Sequence, residues 1–268
     1  MLPRMIFCLW ALLFTSSLVH AAAPPALLQV PLERGSELPL WWMPHDAAQA
    51  TLVLFNGGRG GFRYDAATNT LPPNIGLNQS FLIRSRELFQ KAGFNVAIVG
   101  NARDRADQDL AYRKSVEYSR DMRDVLLRLK QLAPGKLWLV GTSNGTVSAA
   151  NATIANADLV AGLVLTSSIT NPKNENNVQS LKLRDIRVPT LVLHHSRDMC
   201  RGCPPEYARS ILSGLGNAPR KELVFISGGS GASGDPCYGL HYHGFINQEE
   251  EAVVRIASWI RAASGNAP

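Results

Sequence analysis

From residue 27 to residue 262 short apolar runs alternate with stretches of helical periodicity, and few folds accept that order. The runs at 27–32, 37–43, 51–55, 94–99, 137–140, 159–166, 190–194 and 222–226 read as strands. Helices are predicted over 81–92, capped by Ser80 or Asn78, over 115–132, from the residues after Ser143 to about Asn156, over 206–212 and over 249–262. In the second of these, Met122, Val125, Leu126 and Leu129 fall on one face; in the last, Val253, Ile256 and Ile260 do so. Strands alternating with helices predict an α/β fold, a mostly parallel sheet with helices on both faces. Pro31 and Pro39 interrupt the first two runs, which suits a sheet edge better than its centre. Ligands of such sheets bind outside the carboxyl ends of the strands.

The chain has 268 residues, of which 46% are apolar and 18% charged, enough for one sizeable core. Residues 1–21 stand apart. Arg4, the apolar stretch 5–14 and Val19-His20-Ala21 form the charged, apolar and cleavage regions of a signal peptide. Residues 22–268 are then a single exported domain, secreted or periplasmic. The apolar stretch is too short to span a bilayer comfortably, and Cys8 lies inside it rather than just after a cleavage site. No membrane anchor is therefore expected after cleavage. The net charge of +6 is scattered, with no basic run and no interleaved aromatic residues, which argues against nucleic-acid binding.

Residues 137–145 read LWLVGTSNG. An apolar strand stops at Gly141, and Ser143 stands between Gly141 and Gly145 before a run of small residues. Glycine and serine gather at ordinary turns. Between a strand and a helix, however, G-x-S-x-G is the pattern of a nucleophile elbow. Asp198 follows the strand at 190–194, and His243 comes just before Gly244, Phe245 and the closing helix. All three residues follow strands, so a parallel sheet brings them to one edge.

The order Ser143, Asp198, His243 resembles that of the α/β-hydrolase superfamily over nearly the whole mature chain. It is most similar to compact bacterial serine esterases without a large cap, because little chain separates Thr166 from Thr190. The resemblance implies a serine hydrolase acting on a small-molecule carboxylic ester, with no metal and no cofactor. Ser143 would be the nucleophile, His243 its base and Asp198 the acid that orients the base. The oxyanion would be met by the N–H of Asn144 and, by analogy, that of Gly58, with Gly57 next. Asn56 stands where many members carry histidine. The same triad serves peptidases and amidases, and a non-catalytic binding protein could keep the fold. No carboxylate directly follows the strand at 159–166, where Ser167, Ser168 and Asn171 stand, and Asp235 sits in a loop of turn composition. His241 competes with His243. His194 and His195 read as core groups or groups near the acid and His45 as surface; Arg59 and Arg63 could recognise an acidic substrate group but read rather as solvated.

Cys200, Cys203 and Cys237 remain after export. Cys200-x-x-Cys203 lacks a second matching pair for zinc, and an oxidising compartment favours one disulfide with one thiol left over. If the triad forms, the acid and histidine loops must meet. Cys200 and Cys237 are then expected to pair, with Cys203 competing for Cys237.

Overall fold

The central strands are buried along their whole length and mostly apolar, as expected of strands covered on both faces. A computed structural model describes residues 23–72 and 76–265; the signal peptide expected at 1–21 lies outside the described residues. The strands are β1 (Ala26–Pro31), β2 (Glu37–Met43), β3 (Thr51–Phe55), β4 (Asn95–Val99), β5 (Leu137–Thr142), β6 (Gly162–Thr166), β7 (Thr190–His195) and β8 (Lys221–Ile226). They form one eight-stranded sheet in the order β1-β2-β4-β3-β5-β6-β7-β8. β2 runs antiparallel to β1 and to β4, and every other neighbour is parallel. The α/β expectation holds. Of the two prolines, Pro31 lies on the edge strand but Pro39 lies one strand in. Its carbonyl accepts the N–H of Gly100 just past β4, and the carbonyl of Gly100, which an N–H at position 39 would otherwise meet, accepts from Nε2 of Gln108 instead.

Alternation along each strand splits the core in two. Val53, Phe55, Leu137, Leu139, Leu163, Leu165 and Val192 face α4 (Val116–Leu132), α5 (Gly145–Ala155) and α6 (Ala208–Gly214). Leu52, Leu54, Trp138, Val140, Leu191 and Leu193 face α1 (Phe81–Arg84), α2 (Arg86–Lys91) and α7 (Glu249–Ala263). α4 buries Met122, Val125, Leu126 and Leu129, and Ser115 caps it by accepting the N–H of Tyr118 at 3.0 Å. The helix expected over 81–92 is instead two segments. Backbone bonds from Ser85 N to Phe81 O and from Phe89 N to Ser85 O carry the ladder through the break. A further helical turn, α3 (Leu110–Arg113), begins at Asp109, whose side chain accepts the N–H of Tyr112. It is too short to give a periodic signal. Among the described residues no helix is long and apolar enough to cross a membrane.

Candidate active site

The carboxyl ends of β3, β5, β7 and β8 open on one edge of the sheet, and their loops carry the residues singled out above. β5 ends at Thr142, and Ser143 takes φ 53°, a left-handed conformation that costs a side-chain-bearing residue energy. The packing of the elbow enforces it. A Cβ on Gly145 would come 2.0 Å from the carbonyl oxygen of Phe55, and one on Gly141 would come 2.3 Å from that of Gly145. Strand and helix thus approach as closely as backbone permits. Gly57 faces Ser143 from β3's loop, where a Cβ would stand 2.9 Å from the Cβ of Ser143.

His243 lies in a tight turn after β8 and is buried. Its Nδ1 is 2.8 Å from Oδ2 of Asp198, also buried, while Oδ1 of Asp198 accepts the N–H of Cys200 at 2.9 Å. An ionised Asp198 can only accept, so Nδ1 carries the proton and Nε2 is left with a free lone pair. The hydroxyl of Ser167 donates to the carbonyl of His243 at 2.8 Å and fixes the turn behind the ring. Among the described residues no carboxylate pairs with His241, which meets Tyr242 edge to face. His194 is buried beside the acid, accepts the N–H of Ser168 at 2.9 Å, and has its pKa lowered to about 4 by burial. His195 stacks on Tyr242.

The loop after β3 is built around Asn56. Its Oδ1 accepts the N–H of Gly57 at 2.9 Å, and its Nδ2 donates to the carbonyls of Gly61 and Leu77. The N–H of Gly57 is therefore occupied. The side chain of Asn144 donates to the carbonyl of Gly58 at 2.9 Å, tying the loop to the elbow. Sequence reasoning did not reach Arg113, buried beneath this loop, because its contacts are to three backbone carbonyls and one serine hydroxyl, and no residue pattern announces them.

Ser143, Gly57, Gly58 and His243 line a cleft of about 930 Å³, walled on its outer side by Phe62, Tyr64 and Tyr238. The guanidinium of Arg84 braces the cleft, donating to the carbonyls of Gln79, Gly239 and Gly244 and to the carboxylate of Glu249. Arg59 is exposed and faces Asp107 at 3.4 Å. Cys200 is joined to Cys237 by a disulfide, so the acid loop and the histidine loop are covalently linked. Cys203 is a buried free thiol, 4.0 Å from Oγ of Ser143, and burial pushes its pKa well up. Donor atoms of Cys200, Cys203 and His243 lie within 4.8 Å of one another. Cys200 is spent in the disulfide and Nδ1 of His243 on Asp198, so the trio does not offer three free metal ligands.

No family model and no curated protein matches the sequence. Solved structures do match in shape. An esterase from Pyrococcus furiosus superposes with a TM-score of 0.62 at 15% identity, over 89% of this chain and 92% of that one. A serine hydrolase without a lid from Xanthomonas campestris gives 0.55 at 18% identity, over 87% and 95%. A dienelactone hydrolase from Anabaena variabilis gives 0.61 at 15% identity, over 90% and 99%. With its mostly parallel sheet, its strained serine turn between β5 and α5 and these likenesses, the chain has the compact α/β-hydrolase fold.

Proposed function

We propose that the protein is an exported serine hydrolase that cleaves small carboxylic esters through an acyl-enzyme. The observation that carries the reading is the 2.8 Å bond between His243 and Asp198 at the cleft into which the strained turn of Ser143 opens. A serine hydroxyl is a weak nucleophile near neutral pH and needs a base. Nε2 of His243 takes the proton of Ser143 as Oγ attacks the ester carbonyl. Asp198 stabilises the imidazolium that forms. The carbonyl electron pair moves onto oxygen, where the N–H groups of Gly58 and Asn144 receive it. Collapse restores the carbonyl and breaks the bond to the alcohol, which leaves with the proton from His243. Water then attacks the acyl-enzyme by the same route and frees Ser143. The disulfide and the signal-like residues 1–21 support export. The neighbours named as an esterase and as hydrolases support the reaction class, and the cleft supports a small substrate.

Labelling by a fluorophosphonate probe, with Ser143→Ala as control, followed by a panel of esters and amides, tests the reading. Labelling at Ser143 with ester turnover is expected. Turnover of amides alone would make it an amidase, and a protein inert to probe and panel would be a binding protein on this fold.

A further inference from the structure

Arg113 ends α3, and its side chain is fully buried between the loop after β3 and α5. Its Nε donates to the carbonyl of Gln108 at 2.8 Å and one terminal nitrogen to Oγ of Ser148 at 2.7 Å. The same nitrogen reaches the carbonyl of Asn56 and the other reaches that of Gly58, each at 3.3 Å. No carboxylate pairs with it among the described residues; Asp107 and Asp109 act on it only through space. Burial lowers its pKa to about 10, so it remains a cation near neutral pH. A buried charge without a counter-ion is costly to stability. Its hydrogen bonds point to another use. The carbonyls of Asn56 and Gly58 belong to the peptides on either side of the Gly57–Gly58 peptide, the one that carries the Gly58 N–H.

We propose that Arg113 is the positioning residue of the oxyanion hole, gripping both flanking peptides so that the Gly58 N–H is aimed at the reacting oxygen, with a full positive charge behind it. The inference rests on the serine-hydrolase reading above. A neutral substrate carbonyl gains little from such an arrangement, whereas the oxyanion gains much, so the effect belongs in kcat rather than KM.

The test compares wild type, Arg113→Met and Arg113→Lys on the ester that wild type turns over best. Active sites are counted by fluorophosphonate labelling. Inhibition by phenylboronic acid, whose serine adduct is an anionic tetrahedron, is measured alongside. Loss of an oxyanion donor outright costs about 10²–10³ in kcat, so Arg113→Met is expected to lose about 10–100-fold per labelled site. KM should stay within about twofold. Phenylboronic acid should weaken by the same factor as kcat, and Arg113→Lys, which keeps the charge without the fork, should fall between the two. The proposal is overturned if kcat per labelled site is unchanged, if only the labelled fraction falls, or if the loss is all in KM. Should Arg113→Met not fold, a folded Arg113→Lys with wild-type kcat and boronate affinity overturns it. A wild type inert to probe and ester removes the serine-hydrolase reading and this inference together; an active wild type with an indifferent Arg113→Met removes this inference alone.

Discussion

Ser143 keeps a side chain at φ 53°, where glycine would be the easier residue, so the turn holds that strain for the sake of the hydroxyl it displays. Ser143→Ala preserves the Cβ and the turn while removing Oγ. Its ester turnover is expected to fall about 10⁶-fold with the melting temperature unchanged, read by initial rates and thermal unfolding. His243→Ala should approach that loss, because its ring is the one that Asp198 holds among the described residues. His241→Ala should keep most activity; the opposite ranking would transfer the base to His241. Ser143, Asp198 and His243 could be singled out in the sequence because each stands at the end of a recognisable strand or before a recognisable helix. Arg113 could not, since it acts on carbonyls that any residue could supply. Nor could the contact of Cys203 with Ser143, which depends on how residues 199–204 turn. The sequence placed Gly58 ahead of Gly57 only by analogy; the bond from the N–H of Gly57 to the side chain of Asn56 depends on how the loop folds and could not be read there.

At the scale of elements, the strands could be read because each is a short apolar run bounded by turn residues, and the long amphipathic helices because three or four turns repeat the pattern. The break at Ser85 and the single turn of α3 escaped because neither spans a full period of the signal. The loops bearing acid and base are joined by the Cys200–Cys237 disulfide across a sequence separation of 37 residues. On the chain-entropy account, closing a loop of that length stabilises the fold by about 3–4 kcal/mol. Its position gives it a second consequence, since Asp198 lies two residues before one end and His243 six after the other. Graded reduction with dithiothreitol should therefore abolish ester hydrolysis before tryptophan fluorescence reports unfolding. Activity and fluorescence lost in a single transition would contradict that order.

For the molecule as a whole, the burial of His194 and His195 sets a pH dependence of stability. His194 has a folded pKa lowered to about 4 by burial, against an ordinary value of 6.5, with Asp198 and His243 nearby acting in opposite directions. Between those values the unfolded chain binds the proton and the folded chain does not. Stability from this group is thus complete above pH 6.5 and is lost as pH falls towards 4. The loss is on the order of 3 kcal/mol, and the burial of His195 adds to it in the same direction. Urea midpoints across this range should fall with acidification, and His194→Gln should flatten the slope; an unaltered slope would assign the effect elsewhere. The other whole-molecule property comes from Arg84, whose guanidinium is bonded to Gln79, Gly239, Gly244 and Glu249 at once. Widening the cleft on either side strains the same bonds, so its walls give way together or stay in place. On the proposed reading, the cleft is expected to act as a fixed gauge that sorts substrates by their width.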